Sequence, residues 1–160
     1  MAKVILRAIL RANGKEFPSR WWHERPDALI KLSNARDHYV QWEPKFPTVQ
    51  SLKHTKPDLY LSLPNGKRVI IEVTVCNDDR ACLRADEKLS KYLPLREQIG
   101  KQERNYPHVL PIAIGTTGVV SKVTENAVKK LNDWGIPLRL SKLQKAAAIG
   151  TAMTIKRVLN

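Results

Sequence analysis

The 160-residue sequence is poor in acidic residues, in cysteine and in long apolar runs. It has 15 Asp and Glu residues against 28 Lys and Arg residues, which leaves a formal net charge of +13 at pH 7. A surplus of this size carries no information about the fold, but it favours a polyanionic partner. Nucleic acid is the first expectation, and an anionic membrane surface is a distant second.

The scarcity of cysteine and of apolar runs excludes several classes of protein. Cys76 and Cys82 are too few for a four-ligand zinc site, and we interpret them as reduced thiols in an intracellular protein. No apolar segment approaches the roughly 20 residues of a transmembrane helix. Residues 2–12 are interrupted by basic side chains, and no small-residue cleavage site of a signal peptide follows them. The sequence therefore predicts a soluble protein without a membrane span.

The remaining composition is that of one ordinary folded domain. Hydrophobic residues make up 42% and charged residues 27% of the chain, and both fractions are normal for a globular protein. A chain of this length buries roughly 70% of its unfolded surface, which is enough for a hydrophobic core. We divide it into a basic N-terminal helix or arm, residues 1–18, and a main domain, residues 19–160.

Periodicity and turn signals predict an α/β protein in which a small mixed sheet is flanked by helices. Helices are expected at residues 3–12, about 25–35, 79–93, 95–104, 121–134 and 141–159, with Pro94 breaking the long central one. Strands are expected at residues 39–42, 58–63, 67–75 and 109–115. Pro64-Asn65-Gly66 joins the middle two strands in a hairpin, because Asn and Gly tolerate positive φ angles.

Two carboxylates occupy matching positions in this hairpin. Asp58 opens its first strand and Glu72 lies within its second, at equal sequence distances from Asn65. Antiparallel pairing should bring the two together, where they can share a divalent metal ion. A carboxylate within an apolar strand needs a partner, because its desolvation is costly. The alternative is a structural ion pair of Glu72 with Lys67, Arg68 or a lysine on a helix.

The ordered set of motifs resembles a known nuclease family. Pro57-Asp58, the hairpin and Glu72-Val73-Thr74 are similar to the PD-(D/E)XK motif of restriction-endonuclease-like nucleases, with Thr74 where that motif has lysine. Closer still is the resemblance to the restriction-like endonuclease domain of site-specific non-LTR retrotransposons. That domain carries Lys/Arg-Pro-Asp, here Lys56-Pro57-Asp58, and a helical Lys-x-x-Lys-Tyr pattern, here Lys88-Leu89-Ser90-Lys91-Tyr92. The resemblance covers about residues 20–160.

The resemblance implies a fold, an activity and a site. The fold is a restriction-endonuclease-like core, and the activity is metal-dependent DNA cleavage by the target-cutting domain of a retrotransposon-like protein. Asp58 and Glu72 would bind Mg²⁺ or Mn²⁺, Lys88 or Lys91 would orient water or stabilise the phosphate, and Tyr92 would complete the catalytic set. DNA is the implied partner, with a homodimer and a larger reverse-transcriptase polypeptide left open, and the implied location is the nucleus.

Three departures from the family leave alternatives open. Thr74 replaces the usual lysine, the upstream Arg-His-Asn/Asp motif reads Arg25-Pro26-Asp27, and the neighbouring Cys/His zinc knuckle is absent. The first alternative is a catalytically inactive nucleic-acid-binding module with the same fold. The second is a resolvase-like nuclease that acts on branched DNA.

Basic residues also recur beside aromatic or imidazole rings, a combination that can hold phosphates and stack bases. The candidates for nucleic-acid binding are Arg20, Trp21, Trp22, Lys53, His54 and Lys56. The alternative for each cluster is a buried ring with solvated charges around it.

Overall fold

The computed structural model describes residues 1–17, 20, 23–47 and 51–160. It begins with helix α1 (Ala2–Ala12), whose apolar side chains recur every three to four residues. Four of them, Ile5, Leu6, Ile9 and Leu10, are buried. They belong to the same hydrophobic cluster as the side chains beneath the sheet. Within the segment predicted as a basic helix or arm, Ala2–Ala12 therefore form a helix that packs on the main core.

A single five-stranded sheet organises the chain. Its strands, in spatial order, are β1 (Leu29–Lys31), β2 (Tyr39–Trp42), β3 (Leu59–Ser62), β4 (Arg68–Cys76) and β5 (His108–Gly115). The first four pair antiparallel, and β5 joins β4 in parallel. The sheet is thus mixed and open, and the parallel pair requires a crossover connection.

Helices cover both faces of the sheet. The crossover is helix α2 (Ala81–Glu103), preceded by a short 3₁₀ turn (Asp78–Arg80). It packs on one face, where its buried residues join Tyr60 and Ile70. Helices α3 (Lys122–Asp133) and α4 (Leu140–Leu159) pack with α1 on the other face. This arrangement confirms the α/β class and the small mixed sheet flanked by helices.

The helix predicted at residues 25–35 is wrong, because β1 occupies residues Leu29–Lys31. The prediction rested on the spacing of Leu29, Leu32 and Ala35, but Leu29 is 48% exposed and does not belong to a buried helical face. Three apolar residues cannot distinguish a helix from a short strand by periodicity alone. The strand forms because it pairs antiparallel with β2 at the sheet edge.

The break predicted at Pro94 is also wrong, since α2 continues through this residue to Glu103. Pro94 lies on the exposed side of the helix, with buried Tyr92 and Leu95 on either side of it. The carbonyl of Ser90, which loses its helical N–H partner, lies on that exposed side as well. Packing of the flanking residues on the sheet outweighs the local cost.

Within the described residues, no helix combines the length and apolarity needed to cross a membrane. The remaining elements agree with prediction: the hairpin strands, the strands at 39–42 and 109–115, and the last two helices lie within one or two residues of the expected bounds.

Candidate active site

Asp58 and Glu72 face each other across the β3–β4 hairpin. The register pairs Leu59 with Ile71, which places Asp58 opposite Glu72 just outside β3. The Asp58 N–H donates to Glu72 Oε2 at 3.2 Å, and the Val73 N–H donates to Asp58 Oδ2 at 2.7 Å. Each strand therefore supplies a backbone donor to the carboxylate of the other strand. This pair of hydrogen bonds holds both side chains at one point of the sheet.

The Glu72 carboxylate is buried and carries two lysine partners from α2. Glu72 is 5% exposed, and its Oε1 accepts hydrogen bonds from Lys88 Nζ at 2.7 Å and Lys91 Nζ at 3.2 Å. Both lysine side chains are about one-quarter exposed, so the cluster opens to solvent on their side. The predicted ion pair therefore exists, but its partners are the helix lysines and not Lys67 or Arg68. Burial of the carboxylate is tolerated because both cations contact it.

The electrostatic environment of Asp58 differs from that of Glu72. Burial raises the pKa of Asp58 above its ordinary value, and the neighbouring negative charge of Glu72 raises it further. The Val73 N–H and the Lys88 ammonium oppose this shift, while the more distant Glu43 adds to it. The net effect is an Asp58 whose ionised form is electrostatically disfavoured. A cation bound between the two carboxylates would relieve that cost.

Tyr92 links helix α2 to the segment that precedes Asp58. Its side chain is 1% exposed, and its hydroxyl donates to the carbonyl oxygen of Lys56 at 3.0 Å. Burial raises the pKa of Tyr92, and the charge of Glu72 raises it further, so the phenol stays neutral. The Lys91 ammonium lies 4.8 Å from the centre of the Tyr92 ring. These contacts give Tyr92 a positioning role for both Lys91 and the Asp58 backbone.

Glu43, which the sequence analysis did not single out, also lies beside the site. Its backbone has a positive φ of 44°, uncommon for this residue type, and its N–H donates to the Asp58 carbonyl oxygen at 2.8 Å. Its Oε2 lies 3.3 Å from Arg25 Nη2 and 3.5 Å from Lys56 Nζ. The sequence signal was weak: a glutamate directly after β2, before a proline.

The predicted nucleic-acid-binding residues are only partly brought to the site. Lys56 precedes Asp58 by two residues, and its ammonium group pairs with Glu43 beside the site. Lys53 and His54 are exposed on the loop that precedes Lys56, and Arg20 is exposed as well. Trp21 and Trp22 lie outside the described residues.

The donor set at the hairpin fits a divalent metal ion in part. Among the described residues there is no group of three or more His, Cys, Asp and Glu side chains arranged for a metal, so the candidate ligands are the two carboxylates alone. Asp58 Oδ1 accepts no hydrogen bond from the described residues, whereas Oδ2 is engaged by Val73. Hard carboxylate oxygens and open coordination positions suit Mg²⁺, which keeps several water ligands. A metal ion at Glu72 would compete with the Lys88 and Lys91 ammonium groups.

No protein-family model and no curated protein matches this chain. Two carboxylates, two ammonium groups and an open side form an arrangement suited to a phosphate ester and a metal ion.

Proposed function

We propose that this chain is a divalent-metal-dependent DNA endonuclease domain with a restriction-endonuclease-like core. The observation that carries the proposal is the cross-strand pair of Asp58 and Glu72 with Lys88 and Lys91 beside it. The position of the site in the fold supports this proposal, because the β3–β4 hairpin of the mixed sheet and the crossover helix α2 supply all four side chains. The resemblance to non-LTR retrotransposon endonucleases further suggests a domain that cuts target DNA.

Each group in the site has a chemical task in this proposal. Asp58 and Glu72 would hold Mg²⁺ or Mn²⁺, which when bound supplies a Lewis acid and lowers the pKa of a water molecule. Lys88 and Lys91 place two positive charges where negative charge develops on the scissile phosphate. Tyr92 fixes the Lys91 ammonium and the backbone before Asp58. The chain itself therefore supplies orientation and fixed charge before substrate binds.

The position of the lysines offers an explanation for Thr74. In the wider superfamily an amine projects from the strand itself, two residues after the acidic residue. Here the ammonium groups reach Glu72 from α2, and Thr74 lies half-buried on β4. A cation supplied from the helix makes a lysine at position 74 unnecessary for the proposed chemistry.

One observation favours a second candidate, a nucleic-acid-binding module without catalysis. Glu72 already accepts hydrogen bonds at both oxygens, from two ammonium groups and from the Asp58 N–H. Such a saturated carboxylate can serve the stability of the sheet alone. The two candidates share the basic surface and differ in whether a metal ion displaces the lysines from Glu72.

A plasmid-nicking assay with Mg²⁺ or Mn²⁺ separates these candidates. We expect the wild-type protein to nick supercoiled DNA and Asp58→Asn to lose at least about 10³-fold in rate. DNA affinity should remain or improve, because a negative charge is removed next to the phosphate path. Asp86→Asn, an exposed carboxylate on α2, makes the same change in net charge and is the matched control.

Three outcomes are decisive. Cleavage by wild type and Asp86→Asn but not by Asp58→Asn supports the nuclease. Equal cleavage by all three proteins would remove Asp58 from the site. DNA binding without cleavage in either metal would establish the binding module.

A further inference from the structure

Aromatic rings and cations meet at the end of the sheet where the β3–β4 turn lies. Lys67 is the last residue of the turn, and His108 is the first residue of β5. The His108 ring lies 4.9 Å from the Trp134 ring, and the Lys67 ammonium lies 5.8 Å from the centre of that ring. Trp134 follows the last turn of α3, so three separate parts of the chain converge here.

The charges around His108 are all positive among the described residues that act on it. Burial lowers the pKa of His108, and the cations Lys130, Lys67 and Arg96 lower it further. Arg96 pairs with Glu97 at 2.7 Å, and the two lysines have no such partner within the described ion pairs. Cations gathered at one exposed place repel each other unless an anion binds between them. A polyanion is the ligand that this charge pattern fits.

Tyr106 extends the same surface toward α2. The residue is 45% exposed, yet its ring packs so closely on Gly100 that a Cβ atom there would lie 2.1 Å from the ring. Arg96, one turn before Gly100 on the same helix α2, places its guanidinium 5.2 Å from the ring centre. The next residue back, Asn105, donates to the Gly66 carbonyl oxygen at 2.7 Å and ties this segment to the turn. Tyr106 is thus an exposed ring that its surroundings hold in place.

This surface lies a short distance along the sheet from the candidate active site. Glu72 pairs with Pro111 and Val69 with His108 in the parallel register. Three residues of strand span about 10 Å, which corresponds to about three phosphates along one strand of a duplex. A nucleic-acid strand at the active site, on the α2 face, can therefore reach the end of the sheet, where Arg96 lies on the same face and Lys130 and Trp134 lie on the opposite one.

We propose that this surface binds single-stranded nucleic acid through its phosphates and unstacked bases. We call it the end patch, and it consists of Lys67, Arg96, Tyr106, His108, Lys130 and Trp134. Exposed rings beside cations suit single strands, whose bases are free to stack, whereas the bases of a duplex are already stacked on each other. The inference rests on the proposed function only in taking nucleic acid as the common substrate class. It adds a substrate form, DNA with an unpaired stretch next to the cut.

The test measures affinity for a single-stranded oligonucleotide of about 12 nucleotides and for a duplex of equal length. The variant Lys67→Glu with Lys130→Glu should weaken single-strand binding about tenfold or more. Lys129→Glu with Lys156→Glu reverses two exposed charges that, among the described ion pairs, also have no partner; it is the matched control and should lose much less. Tyr106→Leu should weaken single-strand binding about tenfold through lost stacking, with little effect on the duplex.

A second measurement reports directly on the end patch. Because a bound phosphate offsets the surrounding cations, the single strand should raise the pKa of His108, measured by NMR titration of its imidazole. An unchanged pKa of His108 at saturation would overturn the proposal even if the charge reversals weaken binding.

The end-patch proposal and the nuclease proposal can be contradicted independently of each other. Asp58→Asn should bind the single strand at least as tightly as wild type, since its carboxylate is not in the end patch and a negative charge is removed. If the end-patch variants bind like the matched control, the end patch is excluded while cleavage stands. If Asp58→Asn cuts like wild type but the end-patch variants lose single-strand affinity, the nuclease site is excluded and the end patch stands.

Discussion

At the scale of single residues, the two carboxylates of the hairpin differ in what compensates their charge. Glu72 contacts two ammonium groups, whereas Asp58 accepts from one neutral backbone N–H. The sequence predicted their meeting, because equal distances from a tight turn specify partners in a hairpin. It could not predict which cation pairs with Glu72, since that depends on how α2 crosses the sheet. Glu43 was missed for the same reason: its approach to Asp58 depends on the non-local pairing of β2 with β3.

The raised pKa of Asp58 predicts a stabilising substitution. Its folded pKa lies above the ordinary value of 3.8, so ionisation of Asp58 costs stability as the pH rises through the folded pKa. Asp58→Asn should therefore raise the melting temperature at pH 7 by about 2 °C, less than 1 kcal/mol for a domain of this length. The gain should vanish below pH 3.8, where the wild-type side chain is protonated in both states. Thermal melts from pH 3 to 8 measure it, and a lower melting temperature for the variant at pH 7 contradicts it.

The two lysines of the site should contribute unequally to catalysis. Lys88 is closer to Glu72 and also lowers the pKa of Asp58, so its ammonium acts on both carboxylates. Lys88→Met should reduce single-turnover cleavage about 10²–10³-fold with DNA binding nearly unchanged, as expected for a lost transition-state cation. Lys91→Met should be milder, and Lys101→Met, exposed in the last turn of α2, should cut like wild type.

One outcome would contradict a catalytic role for the helix lysines. If Lys88→Met, Lys91→Met and the double variant all cut at the wild-type rate, no helix lysine takes the role that a strand lysine has elsewhere. The resemblance would then concern the fold alone.

At the scale of secondary-structure elements, local signals predicted the elements that depend on local chemistry. Asn65-Gly66 specified the hairpin. The nearly continuous run of apolar, β-branched residues before Cys76 specified the buried central strand. The two errors, at residues 25–35 and at Pro94, have one cause. In each, a tertiary interaction overrides a local tendency: pairing at the sheet edge creates β1, and packing on the sheet carries α2 through a proline.

The proline within α2 should cost stability that substitution can recover. Pro94 supplies no N–H to the Ser90 carbonyl, and Pro is about 3 kcal/mol less favourable than Ala in a helix interior. The unfolded chain of the alanine variant is more flexible, which offsets roughly 1 kcal/mol of this gain in stability. Pro94→Ala should therefore raise the free energy of unfolding by about 1–2 kcal/mol, measured by urea denaturation. Lys101→Ala, exposed on the same helix, should change it by less than about 0.5 kcal/mol, and a gain no larger than that would contradict the prediction.

At the scale of the whole molecule, positive charge lies on more than one side of the sheet. Lys56, Lys88 and Lys91 surround the candidate active site, and the end patch adds further cations at the end of the sheet. The groove between α1 and α4 is lined by apolar and basic side chains, and no acidic residue lines it among those described. Composition predicted the sign and size of this charge but not its distribution, because the convergence of the turn, β5 and α3 is a property of the fold.

Binding of duplex DNA should consequently depend strongly on salt. If about six phosphates are neutralised along the path from the active site to the end patch, log K should fall with log salt at a slope of about −5. Fluorescence anisotropy from about 50 to 300 mM KCl measures the slope. Lys56→Met should make it shallower by about one, since one phosphate contact is lost, and Asp58→Asn should leave it nearly unchanged. A slope near zero would mean that the charge of +13 does not serve a polyanion, and both nucleic-acid proposals would fail together.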